Sequence, residues 1–253
     1  MTPQQAPRSA AGAAPEGARD QQSAAKVVQQ MFSDVAPRYD LLNHILSCNV
    51  DRIWWWRVAR TFTHILRKPD THVLDLCCGT GDMTLALRKR ARNARNQIVG
   101  ADFVHAMLVR AAPKTAAKNI GLVEGDALEL PVGDGTFDLV TSAFGFRNLA
   151  NYDAGLHEIF RVLRTGGEIG ILDFSEPKGL LGKLYRLYFR YVLPPIGTLI
   201  SGVRGPYAYL PASVERFPEP EEMLDRMQAA GFSEVSWTPY TFGIAGLFRG
   251  KKP

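Results

Sequence analysis

From His72 onward the chain alternates short apolar runs with amphipathic stretches. Val73-Leu74-Asp75-Leu76 is an apolar run closed by a glycine-rich turn, and a helix is expected from about Asp82. Gln97–Ala101, Gly121–Glu124, Phe137–Ser142 and Glu168–Phe174 read as further strands, with helices over Ala106–Lys118 and Tyr152–Leu163. Strands alternating with helices predict βαβ units and a mostly parallel, doubly wound α/β sheet covered on both faces. Pro220–Ala230 reads as a helix stopped by Gly231, and Glu234–Pro239 with Gly243–Arg249 as a terminal antiparallel pair.

Outside this alternation the pattern changes. Residues 1–25 are rich in Ala, Gln, Pro and Gly and present no apolar face, which predicts a disordered tail. The remainder, 26–253, reads as one domain. Its first part, 26–66, is a mixed helical lid containing Trp54-Trp55-Trp56, which cannot all share one helical face; core packing is expected for one or two of them. The aliphatic and aromatic stretch Gly179–Ile200 interrupts the α/β order and belongs to an inserted substrate or lid segment over 179–215. Lys183, Arg186 and Arg190 would share one helical face there, which suits an ordinary amphipathic lid or contact with anionic headgroups.

Composition narrows this picture only a little. Lys plus Arg is 30 and Asp plus Glu 25, a net charge of +5, which permits an anionic partner or membrane surface without demanding one. The cysteines, Cys48, Cys77 and Cys78, have no C-x-x-C spacing, which argues against a disulfide framework or a cysteine zinc site and for a reducing, cytoplasmic compartment. The histidines lack ligand spacing, so no metal is expected. No apolar run approaches the ~20 residues needed to span a bilayer, and no basic tract points to nucleic acid.

The chemistry concentrates at Asp75-Leu76-Cys77-Cys78-Gly79-Thr80-Gly81-Asp82, between a predicted strand and a helix. In a doubly wound sheet that position faces the ligand, and glycines let the backbone approach it closely. A dinucleotide site would want G-x-G-x-x-G, but Thr84 stands where the third glycine belongs. A site for S-adenosyl-L-methionine carries no phosphate and wants a carboxylate ahead of the loop, which Asp75 supplies. Asp102, ending the second strand, suits both ribose hydroxyls; Asp126, after the third strand with Ala127 beside it, suits an adenine amino group. Each acid alone reads equally well as a turn or cap residue; loop and both acids together favour S-adenosyl-L-methionine.

Several motifs then resemble those of the ubiquinone/menaquinone biosynthesis C-methyltransferases, from about Met31 to the C-terminus. Tyr39-Asp40, Asn43, Leu46, Ser47 and Trp54 match a Y-D-x-M-N-type motif, with Leu42 for its methionine and Asp51 for its histidine. Ala143-Phe144-Gly145-Phe146-Arg147-Asn148 matches S-F-G-x-R-N, with Ala143 for a cofactor-contacting serine. Arg161–Gly167 with Asp173-Phe174-Ser175, and the Tyr207–Ser213 stretch, match two further motifs. The resemblance implies a seven-stranded sheet of the class I S-adenosyl-L-methionine-dependent methyltransferase type with an antiparallel C-terminal strand. It implies cofactor contacts at Thr80, Asp102, Asp126 and Ala127, joined by Asp75, Gly79 and Gly81 from the loop reading.

The implied reaction places a methyl group on a ring carbon of a polyprenylated hydroquinol, demethylmenaquinol and by extension a ubiquinone precursor. A phenolate form of the ring makes that carbon nucleophilic, and no metal is required. Arg147 is the expected phenolate stabiliser, or else pairs with a structural carboxylate. A water held by Arg147 and Asn148 would take the proton, and Tyr39 would orient the ring or relay a proton, or else act as a packed lid residue. Another methyl acceptor, or a non-catalytic cofactor-binding role, remains an alternative. Peripheral membrane contact and a homodimer are compatible with the sequence but not specified by it.

Overall fold

A computed structural model of the chain describes residues 12–39, 49–91, 93, 95–177 and 206–253, with isolated positions 179, 182, 187 and 191. Asn43 and the basic residues Lys183, Arg186 and Arg190 lie outside the described residues, so most of the expected insertion is not placed.

Helix α1 (Gln21–Val35) opens the described chain, followed by a single tight turn at Ala36–Arg38, then α2 (Val50–Thr61) and the short α3 (Thr63–Leu66). The alternating part runs β1 (His72–Leu76), α4 (Asp82–Arg90), β2 (Gln97–Asp102), α5 (His105–Thr115), β3 (Ile120–Glu124), β4 (Phe137–Ala143), α6 (Tyr152–Val162) and β5 (Leu163–Phe174). Helices α7 (Pro206–Arg216) and α8 (Pro220–Ala229) precede β6 (Ser233–Tyr240) and β7 (Ala245–Lys251). The seven strands form one sheet in the order β3-β2-β1-β4-β5-β7-β6. β1 to β5 pair in parallel, and β7 runs antiparallel to both neighbours.

Period-two alternation along β1 sorts its side chains between two cores. Val73 joins Trp54, Val58, Phe62, Met83 and Leu87 on the face covered by α2 and α4. Leu74 and Leu76 join Leu156, Ile159, Met223 and Met227 on the face covered by α6 and α8. Both faces are apolar because every connection between parallel strands must cross one of them. Among the described residues no helix is long and apolar enough to cross a membrane.

The tail expected over residues 1–25 requires correction. Gln21–Ala25 are already helical, and Ala13 N–H donates to the Leu149 carbonyl at 2.8 Å. The start signal is a capping box: Asp20 Oδ1 accepts from Ser23 N–H at 2.7 Å, and Ser23 Oγ accepts from Asp20 N–H at 3.0 Å. Ala24, Val28 and Val35 form the buried stripe of this helix. Averaging composition over the first 25 residues hid that signal. Of the three tryptophans, Trp54 is buried and Trp55 partly so, whereas Trp56 is exposed.

Candidate active site

Strand order reverses around β1, whose neighbours are β2 on one side and β4 on the other. Such a switch point leaves a crevice at the carboxyl ends of the strands. A cleft opens there, enclosing about 730 Å³ with its solvent-filled mouth included. It is bordered by the loops after β1, β2, β3 and β4, and by Ala25, Phe32 and Tyr39 from the N-terminal segment.

The loop after β1 turns through three left-handed positions, Cys77 (φ 54°), Gly79 (φ 54°) and Gly81 (φ 85°), before α4 begins. Glycine takes that conformation freely, whereas at Cys77 it costs about 1–3 kcal/mol. Asp102 fixes the loop from the neighbouring strand. Its Oδ2 accepts from Gly79 N–H at 2.8 Å and its Oδ1 from Val104 N–H at 2.9 Å. Burial pushes the Asp102 carboxyl up to about 6, against the pull of these backbone donors. It is therefore ionised at neutral pH, and each oxygen keeps acceptor capacity for a ligand hydroxyl. Asp126 is exposed at the rim, where its Oδ1 accepts from Leu128 N–H at 2.9 Å, and the buried Ala127 lies beside it in the wall.

Asp75 is placed differently from its expected role. It does not line the cleft; it is fully buried beneath the loop, accepting from Thr84 Oγ1 at 2.5 Å and Thr141 Oγ1 at 3.0 Å. The period of β1 puts it on the Val73 face, under the start of α4, not at the strand's open end. Desolvation pushes its carboxyl up to about 7. Thr80 is likewise buried, and neither it nor Gly81 borders the cleft. These residues shape the loop, while Gly79 presents its backbone.

The loop after β4 forms the opposite wall. Phe144 adopts a left-handed conformation (φ 60°), and its ring packs on Phe174 at 4.6 Å and on Trp54 at 5.6 Å between centroids. Gly145 leaves no room for a side chain, because an added Cβ would overlap the Cβ of Cys77. Burial, with Asp102 and Asp75 nearby, pushes the Cys77 thiol well up, so it stays protonated and unreactive.

Arg147 takes the second of its two expected arrangements, paired with a structural carboxylate. Its guanidinium does not border the cleft. It is buried, donating through Nη1 to Asp173 Oδ1 at 2.9 Å and to the Phe144 carbonyl, while its backbone N–H donates to Asp173 Oδ2 at 3.0 Å. Asp173 is fully buried at the end of β5 and needs a counter-charge there. Asp173 was legible only as part of a motif; nothing in the sequence assigned it this partner. Asn148 does reach the cleft, and its Oδ1 is buried without a hydrogen-bond partner among the described residues. Tyr39 lines the cleft beside Gly79 and packs edge-on to Phe32 at 6.1 Å. Of the sequence-derived site residues, the cleft thus gathers Tyr39, Gly79, Asp102, Asp126, Ala127 and Asn148.

The charges in this lining are Asp102 and Asp126, with no Lys or Arg among the described lining residues. A pyrophosphate would meet two carboxylates and no cation. A cationic sulfonium nucleoside with free ribose hydroxyls meets complementary charge and acceptors. The residues present fit S-adenosyl-L-methionine.

The sequence profile of the ubiE/COQ5 methyltransferase family matches residues 18–252. The chain belongs to the ubiE/COQ5 methyltransferase family. As a member it is an S-adenosyl-L-methionine-dependent methyltransferase. This methyltransferase is 49% identical to the demethylmenaquinone methyltransferase of Deinococcus radiodurans, over 92% of this chain and 95% of that one. Its identity to the enzyme of the same name from Thermus thermophilus is also 49%, over 88% and 100% of the two chains. Among solved structures it resembles a SAM-dependent methyltransferase from Aquifex aeolicus, with a TM-score of 0.56 at 18% identity over 77% and 88% of the chains. The [4+2]-cyclase SpnF resembles it with a TM-score of 0.59 at 18% identity, over 78% and 81% of the chains. That second likeness shows that the fold alone does not fix the reaction.

Proposed function

We propose that this methyltransferase methylates a ring carbon of a polyprenylated hydroquinol, with demethylmenaquinol as the acceptor. The observation that carries the reading is its 49% identity, over 92% of the chain, to a relative that bears the name demethylmenaquinone methyltransferase. S-adenosyl-L-methionine supplies an electrophilic methyl group when bound. Asp102 would accept from the ribose hydroxyls, and Asp126 with Ala127 would hold the adenine edge. The apolar wall formed by Phe103, Met107 and Leu128 excludes water.

Tyr39 sets the ring plane. A water held at Asn148 Oδ1 would take the hydroxyl proton. Electron density would move to the adjacent ring carbon, which would accept the methyl group as its bond to the sulfonium sulfur breaks and leaves a neutral thioether. The ring carbon's own proton would then pass to water. Alignment inside a dehydrated cleft supplies most of the rate. Arg147 is a positioning residue. It fixes the Phe144 carbonyl, to which Asn148 Nδ2 also donates at 3.4 Å.

The test is transfer of label from S-adenosyl-L-methionine to demethylmenaquinol and, in parallel, to the methoxybenzoquinol precursor of ubiquinone. Label in demethylmenaquinol supports the reading, and label in both extends it to a shared enzyme. Label in neither, with the cofactor bound, overturns it.

A further inference from the structure

A second pocket, enclosing about 800 Å³ with its open mouth included, lies away from the cleft, between α2 and the β6–β7 hairpin. Arg57, Arg60 and Arg249 line it together with Trp56, Thr61 and Tyr240, and no acidic residue contributes to this lining. The Arg57 guanidinium sits 3.9 Å from the centre of the Tyr240 ring, and that of Arg60 sits 5.2 Å from the Trp56 ring. Arg249 Nη2 donates to Ser236 Oγ at a long 3.4 Å, and its Nε is buried without a hydrogen-bond partner among the described residues. Among the described residues none of the three forms an ion pair. Three like charges in one concavity repel one another, and the bound species that best relieves this is an anion.

The helix and hairpin that build the pocket also carry exposed apolar side chains. Ile53 is 56%, Trp56 52% and Phe242 84% exposed, against a core in which residues of this kind are buried. Ile53, Arg57 and Arg60 follow helical spacing, so α2 presents them on one stripe. Trp54 Nε1 donates to Thr241 Oγ1 at 2.8 Å, tying α2 to the hairpin tip that carries Phe242. Trp54 also packs on Phe144, which lines the cleft, so one aromatic layer separates this face from the proposed reaction site.

We infer that the arginine pocket binds the phosphate of an anionic phospholipid and that Trp56 in its lining, with Ile53 and Phe242 on the same helix and hairpin, enters the headgroup boundary of a bilayer. A free phosphate ester would use the arginines but leave the exposed apolar side chains without a role. A bilayer interface uses both, because Trp favours that boundary and arginine there gains from anionic lipid. The inference extends the quinol reading, since a polyprenylated acceptor resides in the membrane.

The experiment is sedimentation of the full chain with phosphatidylcholine vesicles, with and without phosphatidylglycerol. Binding is expected only with phosphatidylglycerol, and Arg57→Gln and Arg60→Gln should each weaken it about fivefold. Phe242→Ser should weaken it as well, with cofactor affinity and thermal unfolding unchanged. Arg57 packs on Tyr240, so if that variant misfolds, the exposed Arg60→Gln and Phe242→Ser decide. Unchanged partition of these two overturns the inference. So does saturable binding of inorganic phosphate that needs the three arginines while vesicle binding does not. Turnover of detergent-dispersed demethylmenaquinol, measured alongside, reports on the reaction independently of the bilayer.

Discussion

One carboxylate, that of Asp102, holds Gly79 N–H at 2.8 Å and Val104 N–H at 2.9 Å, so it clamps the loop after β1 to the loop after β2. Charge-assisted bonds of this kind contribute about 1.5–3 kcal/mol each. Asp102→Ala should therefore loosen both loops and remove the ribose acceptor, weakening S-adenosyl-L-methionine by at least about tenfold. Isothermal titration calorimetry reads this directly, and an unchanged affinity would remove Asp102 from the site.

The buried Asp75 makes stability depend on pH. A carboxyl whose folded pKa lies above its unfolded value binds its proton more tightly in the folded chain. With a shift from 3.8 to about 7, that contribution is full below the unfolded value and disappears as pH rises through about 7. Asp102, raised to about 6, acts with the same sign over a narrower window. Denaturant midpoints of the cofactor-free protein should fall from pH 5 to pH 8, on a scale of about those pH values. Asp75→Asn should flatten the fall, and a slope identical to the parent chain would show that Asp75 does not titrate there.

Removing Arg147 strands Asp173 in the interior. Breaking a buried pair from one side costs about 3–5 kcal/mol, so Arg147→Ala should unfold at much lower denaturant as well as lose turnover. Arg147→Met combined with Asp173→Leu removes both charges. Urea titration should find stability largely restored, while turnover stays low because Phe144 and Asn148 have lost their brace. Full activity in that double variant would show that the brace has no catalytic consequence.

Gly145 is constrained by space and not by its backbone. Gly145→Ala drives a methyl group into Cys77 and should cost about 1–3 kcal/mol. It should also widen the separation of the loops after β1 and β4. A thermal scan with and without S-adenosyl-L-methionine checks both effects; a normal melting temperature with normal cofactor stabilisation would contradict the contact.

The strands and the helices between them were legible because their apolar runs obey period two or period 3.6; Glu234–Pro239 shifted by one residue at each end to Ser233–Tyr240, while β5 begins at Leu163 and not at Glu168, and the helix expected to Lys118 ends at Thr115. Asp102 and Asp126 were legible because acids at strand ends face the crevice by topology alone. Asp75 was misplaced, and Arg147 was left between two roles, for a shared reason. Their roles depend on which partner lies beneath them, Thr84 and Thr141 for one and Asp173 for the other, and these are 9, 66 and 26 residues away. A motif marks such residues as important without telling contact from support. The arginine pocket was invisible because Arg57 and Arg249 meet only through tertiary structure.

β7 follows β6 in the chain yet sits between β5 and β6, and it supplies the antiparallel pairing for both. During synthesis β6 emerges with no strand to pair with, and β5 waits with an open edge until Ala245–Lys251 has left the ribosome. Nascent chains stalled before that segment should recruit chaperones, because an uncovered edge invites pairing with other molecules. The strand that joins β5 to β6 is made after both.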